Sequence, residues 1–527
     1  MTRYPGAAGQ HPRVIVVVSA LILVTACSGP LPPDGSPTPR PPRELTITIV
    51  DRTTETPVAN ATIEVGAASA TTSADGAATL TAVPGTAVEA VAAGFDAGSA
   101  TIPEGGPLTI PLRPNVVSGL VLDGDGAPIR GARVFVEGGI PVVTDRAGNY
   151  ALPGVPEQGS LIYKVPGHRL GVIPIDAHMT KDVSLPAFEA RALYAPSAIF
   201  EAAGRLDAML DLIDRTEVNA MVIDVKEANG NLYWATDLPA ATAVGSVMDQ
   251  PLFALDELLP RLKERGIYTI ARMVVMKDNT LGKQRPELAV RNTATGDPWR
   301  DNRGGIWLDP YNPGVAEYIA ALAADLAAKG FDEVQLDYVR FFSDGDYSVA
   351  ETNLPNTQSF RLPAIRRLFR LVSDALAPTR TFFAADVFPI SFIASDDQGI
   401  GQRPEVIMPY VDYFSPMVYP SHYGPGTFGY ANPNDYPYEV IDATLAIMNE
   451  QRTGLPMVIR PWLQDFGFGP YPPYTAGQVL AEMQAAADNG AHGWMIWNAT
   501  ARFTESALGP PVEGESAGPV TSPQPSP

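Results

Sequence analysis

From about residue 190 onward, short apolar runs alternate with stretches of helical period. The runs fall at 192–195, 218–225, 267–275, 332–341, 381–388, 411–418, 457–462 and 492–497 and are rich in β-branched and aromatic residues, so they read as strands. The clearest helix is 313–329, with Asn312 as N-cap, Pro313 in the first turn and Gly330 past the end. Another, 252–265, puts Leu255, Leu258, Leu259 and Leu262 on one face and stops at Gly266. Eight strands with helical crossovers predict a (β/α)8 TIM barrel over 189–507. A doubly wound sheet is the alternative, but no Gly-x-Gly-x-x-Gly loop follows any of these strands.

Between 44 and 188 the pattern is different: short alternating runs broken by Gly, Pro and Asp, with no helical period. The segment is an internal repeat, 44–113 and 114–188. "PVANATIEVG" (57–66) and "ATTSADGAATLTAVPGT" (70–86) match "PIRGARVFVEG" (128–138) and "VVTDRAGNYALPGVPEQG" (142–159), each with a polar turn at Gly76 or Gly148. With Thr144, Asp145, Gly148 and Tyr150, these copies resemble carboxypeptidase-regulatory-like domains, small all-β transthyretin-like sandwiches. In the first copy Ser73 and Ala78 stand where that family has Asp and Tyr. The resemblance implies spacing or adhesion and no catalysis.

At the N-terminus, Arg3 and Arg13 precede the apolar run "VIVVVSALILVTA" (14–26), too short to span a bilayer comfortably. Val24-Thr25-Ala26-Cys27 resembles the lipobox of bacterial lipoproteins. The expectation is a signal peptide over 1–27 with Cys27 lipidated, giving an extracytoplasmic protein anchored to the bacterial membrane. Residues 28–43 are a proline-rich tether, and 508–527 reads as a disordered tail.

Composition narrows the chemistry. A formal charge of −21 disfavours a nucleic-acid partner, because phosphate binding needs clustered Lys and Arg. Cys27 is the only cysteine, and the barrel holds only His422 and His492, with no His-Glu-x-x-His, so no metal or other cofactor is expected. No Gly-x-Ser-x-Gly elbow is present.

What remains is a set of carboxylates at strand ends, where a barrel carries its catalytic groups. Asp337 leads it. Gln335 and Asp337 share one face of their strand, which puts Asp337 at the rim if that face points inward. The structural alternative is an ion pair of Asp337 with Arg340 or Lys226. Asp386, after the small residues Ala384 and Ala385, is the natural second carboxylate; otherwise it caps a loop. Glu227 and Asp224 compete for the same role. Paired carboxyls at this spacing, one ionised and one protonated, are the machinery of glycosidic hydrolysis. Arg272, Arg340, Lys226, Tyr419, His422, Arg460, Trp462 and Trp497 are candidate substrate contacts. Trp234, Trp299 and Trp307 fall in loops, where exposed indoles could stack on sugars. The aromatic loop 419–438 either binds substrate or packs on the barrel.

Taken together, "NAMVIDVKEANGNLYW" (219–234), "ARMVVMKD" (271–278), "WLDPYNPGVAEY" (307–318), "FDEVQLDYVRF" (331–341), "DVFP" (386–389), "SPMVYPSHY" (415–423) and "GWMIWN" (493–498) resemble the putative glycosyl hydrolase barrel family, a domain of unknown function. More distantly the barrel is similar to amylase-type and chitinase-type hydrolases, which place a key Asp at the end of strand four, as Asp337 stands here. Gln335 replaces the Arg of the first group; Gln335 and Val339 replace the Asp and Glu of the second, and Pro420 replaces its Asp after Met417 and Tyr419. The reading is a glycosidase, expected to be a monomer with a carbohydrate partner: Asp337, which matches the position of that key Asp, as nucleophile or charge stabiliser, and Asp386 as general acid or base. The rival is a glycan-binding surface lipoprotein without catalysis.

Overall fold

The computed structural model describes residues 40–469, 471–512, 514 and 517–522. The lipobox with Cys27 and most of the tether lie outside the described residues.

The first two units are built alike. Strands Arg43–Asp51, Thr62–Val65, Ala68–Thr71, Ala77–Ala82, Ala87–Val91, Gly98–Thr101 and Leu108–Leu112 form two sheets, with strand orders 4-1-7 and 3-2-5-6. Strands Val117–Asp123, Arg133–Val136, Val142–Val143, Asn149–Leu152, Ser160–Lys164, Gly171–Pro174 and Val183–Leu185 repeat both orders. The repeated turn has a shared cause. Buried Thr72 accepts from Ala61 N–H and donates to the Val58 carbonyl; Thr144 does the same with Ala132 and Ile129. Gly76 (φ 72°) and Gly148 (φ 78°) follow, where a Cβ would lie 2.6 Å from the carbonyl of Ile49 or Val121.

The C-terminal unit is a curled parallel sheet of the TIM-barrel kind. Its strands are β1 (Ala190–Ala195), β2 (Ala220–Lys226), β3 (Tyr268–Val274), β4 (Glu333–Asp337), β5 (Phe382–Val387), β6 (Tyr413–Pro416), β7 (Val458–Ile459 and Trp462–Gln464) and β8 (Gly493–Trp497). The sheet order runs from the first half of β7 through β6, β5, β4, β3, β2, β1 and β8 to the second half of β7. The two halves flank Arg460-Pro461, and Pro461 has no N–H to donate to a ladder. Strand β4 ends sooner than the apolar run suggests, because Tyr338 turns to φ 53° directly after Asp337. Of the two helices read from the sequence, one forms at Pro313–Lys329, where the Asn312 side chain accepts from Gly314 N–H and Gly330 adopts φ 99°. The other, Leu255–Glu264, buries its four leucines.

Inward-facing residues stack in layers up the barrel. At the base Glu333 meets Arg460 and lies 3.2 Å from the Tyr268 hydroxyl; above it Gln335 reaches Ser415 Oγ and Met495 Sδ, both at 3.3 Å. Asp337 is the next inward residue, so the period-two expectation holds. The base rests on the second β-unit: buried Lys164 donates to the carbonyls of Leu376, Thr379 and Thr381, Arg133 pairs with Asp412, and Gly167 N–H donates to Tyr413 Oη at 3.1 Å. The composition of 508–527 suggests disorder, but Val520 lies beside strand Gly171–Pro174, exchanging hydrogen bonds with Val172 and Leu170.

Candidate active site

The upper rim opens into a cavity of about 1320 Å³ that includes Arg272, Asp337, Arg340, Asp386, Tyr419, His422, Trp462 and Trp497 in its lining. At its floor stands Arg272, 5% exposed, from β3. Strands β2, β4 and β5 flank or follow β3 in the sheet, and each carries, at or within two residues of its C-terminal end, an inward carboxylate close to this guanidinium. Nη1 pairs with Asp224, Nη2 pairs with Asp337, and Nε lies 3.6 Å from Asp386 Oδ2. The Tyr194 hydroxyl donates to the other oxygen of Asp224, and Trp462 Nε1 donates to Asp386 Oδ1 at 2.6 Å. The rings of Trp497 and Tyr194, stacked 3.9 Å apart, lie 5.1 and 5.6 Å from the Arg272 guanidinium carbon.

This arrangement separates the carboxyls by their environments. Burial pushes the Asp386 carboxyl well up from its ordinary range, the charge of Asp337 adds to the effect, and Arg272 opposes it. Asp224 is also raised, by burial first, against the pull of Arg272 and Tyr194. Burial works against the charge of Arg272, and the surrounding carboxylates outweigh it. Asp337 is held on both oxygens, by Arg272 and by the N–H of Tyr338 at 2.5 Å. The left-handed backbone of Tyr338 permits that last contact and swings its ring into the cavity wall.

Several sequence-derived candidates stand elsewhere. Lys226 is buried away from the cavity, bound to Asp278 and to the Val274 carbonyl, each at 2.8 Å; a register shift between Asp224 and Lys226 breaks the alternation that would have turned it inward. Arg460 lies at the barrel base with Glu333, its guanidinium 4.3 Å from the Tyr413 ring, and so cannot reach a ligand at the rim. Glu227 accepts from Ser197 Oγ at 2.6 Å and does not line the cavity. Asp224 lies behind Arg272 and supports it. Arg340 lines the cavity but forms no ion pair with Asp337.

Trp234, Trp299 and Trp307 are fully buried rather than exposed. Their indole N–H groups donate to Asp325, to the Asp346 carbonyl and to Asp301, which lets the rings serve as core under the rim loops. Part of the loop 419–438 does reach the cavity: Tyr419, His422, Tyr423, Gly424, Thr427 and Phe428 line it. Burial pushes the His422 imidazole down and the Tyr419 phenol well up. The sequence reading missed Tyr338, Phe388, Phe466 and Arg303 in the lining. The first two directly follow or closely follow the carboxylates of β4 and β5, a position that could have flagged them. Among the described residues, no group of three or more His, Cys, Asp or Glu side chains is arranged to hold a metal ion, and no helix is long and apolar enough to cross a membrane.

A model of the family described as "putative glycosyl hydrolase domain" matches residues 192–503. No curated protein matches the chain. Among solved structures, a hypothetical protein from Ruminiclostridium thermocellum is 31% identical, covering 37% of this chain and 97% of its own, with a TM-score of 0.33. The glycoside hydrolase domain of PgaB (BpsB) from Bordetella bronchiseptica is 14% identical over 61% of this chain and 99% of that domain, with a TM-score of 0.44. An α-galactosidase from Thermus thermophilus is 14% identical over 80% of this chain and 74% of its own, with a TM-score of 0.38.

Proposed function

The chain belongs to the family described as a putative glycosyl hydrolase domain, and from that membership we propose that its barrel cleaves glycosidic bonds in an extracellular poly- or oligosaccharide by carboxylate acid–base chemistry. The observation that carries the reading is the pair Asp337 and Asp386, both on the Arg272 guanidinium at the cavity floor. A shared guanidinium keeps two carboxyls within about 10 Å, the range that glycosidases use.

The roles follow from the surroundings. Asp386, held protonated by burial and by its charged neighbour, is the proton donor to the departing glycosidic oxygen. Asp337, aligned by Arg272 and Tyr338, faces the anomeric carbon as nucleophile or as the charge that stabilises a developing oxocarbenium ion. Trp462 both lines the cavity and orients Asp386, and Trp497 offers a sugar-sized aromatic wall over Arg272.

A second reading, glycan binding without cleavage, draws on one observation. Both Asp337 oxygens already have partners, as a carboxylate retained for barrel closure would. The two readings part in one experiment: incubation of an oligosaccharide panel with wild type, D337N and D386N, scoring product and binding separately. The hydrolase reading expects cleavage to fall about 10²–10⁴-fold in D386N with binding kept. Cleavage that survives D386N rejects the proton-donor assignment, and binding without any wild-type cleavage favours the second reading.

We further propose that residues 1–27 direct export and that Cys27 carries lipid, with the two β-units spacing the barrel from the membrane. Incorporation of labelled palmitate into wild type but not C27A is the expected result.

A further inference from the structure

The cavity holds a cation that its protein neighbours leave unanswered. Arg340 is only 8% exposed, yet it forms no ion pair among the described residues. Nη1 donates to the Phe341 carbonyl and to Ser343 Oγ, both at 2.9 Å, while Nε is buried without a hydrogen bond and Nη2 makes none. Asp337 and Asp344 act on it only from beyond ion-pair distance. Aromatic faces surround it: Trp307 at 4.8 Å, Phe388 at 5.0 Å and Tyr338 at 5.4 Å from the guanidinium carbon.

The barrel's other buried arginines are answered: Arg272 by carboxylates on three strands, Arg361 by Asp397 and Arg460 by Glu333. Arg303, exposed on the same cavity wall, also lacks an ion pair or a side-chain hydrogen bond among the described residues. In a chain of net charge −21, Arg340 is thus the one buried arginine among the described residues without a carboxylate partner, whereas the exposed Arg303 is open to water. A buried guanidinium with free N–H groups is costly unless an anion completes it. With Nη1 already bonded and Nε closed off, the Nη2 donors are those left for a carboxylate or sulfate oxygen, and the Tyr338 and Phe388 rings, which line the cavity beside it, suit a sugar.

We propose that this cavity recognises an acidic saccharide, with the anionic substituent of one sugar bound by Arg340 and assisted at the mouth by Arg303. The proposal rests on the hydrolase reading for its site but on Arg340 for its specificity. Three ligand classes separate the sources of charge: oligouronates, the same oligomers after carboxyl reduction, and sulfated neutral oligomers.

Binding is measured calorimetrically in the D386N background, so that turnover does not interfere, with and without R340Q, R340K and R303Q. An oligouronate or a sulfated oligomer is expected to bind at least about tenfold more tightly than its uncharged counterpart. That preference is expected to collapse in R340Q, survive in part in R340K and weaken about threefold in R303Q, whose exposed position leaves folding unaffected. Equal affinity for charged and uncharged oligomers, absence of binding to both included, overturns the proposal. So does a preference that R340Q leaves intact. A charged oligomer that binds through Arg340 but is never cleaved by wild type removes the hydrolase reading and leaves this one standing.

Discussion

Replacing Arg272 with methionine keeps most of its volume and removes the one cation among Asp224, Asp337 and Asp386. All four side chains are nearly or fully buried. Removing one partner of a buried pair costs about 3–5 kcal/mol, since the remaining charge has neither water nor counterion. Here the carboxylates can escape by taking up a proton, and the cost of that depends on pH. At pH 8, protonating one Asp whose unfolded value is about 4 costs about 1.4 kcal/mol per unit, or about 5 kcal/mol; at pH 5 it costs about 1.4 kcal/mol. Asp386 is already raised well up with Arg272 in place, and Asp224 is raised by burial against the pull of Arg272, so Asp224 is the next group to take up a proton once that guanidinium is gone. Carboxyls raised in the folded state contribute stability at low pH and lose it as pH rises through their folded values. Arg272→Met is therefore expected to lose about 4–5 kcal/mol at pH 8 and only about 1–2 kcal/mol at pH 5. Equilibrium denaturation of the barrel at both pH values measures this, and adding D224N should restore part of the loss at pH 8. A loss below about 1 kcal/mol at pH 8, or an equal loss at both, would refute the reasoning.

Three further outcomes follow from the same physics. Asp386→Asn removes a group that binds its proton more tightly when folded, so its stability relative to wild type should rise between pH 5 and 8 while cleavage is lost; parallel pH–stability curves would contradict the raised value. Lys164, pushed down to about 7 by burial, is neutral in the fold at a pH where the unfolded chain still carries its charge. Wild-type stability relative to K164M should then gain up to about 1.4 kcal/mol per unit between pH 7 and 10 in denaturation curves, and a flat difference would contradict the lowered value. Gly493 opens β8 at φ 80°, where a Cβ would sit 2.1 Å from the Ala190 carbonyl, so G493A should cost about 3 kcal/mol or more by chemical denaturation, through the β1–β8 seam that closes the barrel.

Much of this protein was legible without coordinates. Strand positions follow from apolar runs, because a strand covered by helices on one side and core on the other has no solvated face. The seven-strand repeat follows from recurring turn residues, because Gly76 and Gly148 occupy backbone that a Cβ would obstruct. Asp337 and Asp386 stood out because a carboxylate ending an apolar strand demands a partner. Depth and direction were not legible. Trp234, Trp299 and Trp307 share the composition of binding aromatics but are core, since only packing distinguishes an indole with a buried acceptor from one facing water. Lys226 failed the alternation rule at a single register shift, and Arg460 points inward at the wrong height.

Residue type and order, then, determined which segments pair and which carboxylates end them, because those properties are local to each strand. Tertiary structure alone decided that β2, β4 and β5 deliver their carboxylates to the single guanidinium of β3, and that Arg340 is left without one. Such choices depend on the mutual stagger of strands far apart in the chain, and no stretch of sequence contains that stagger.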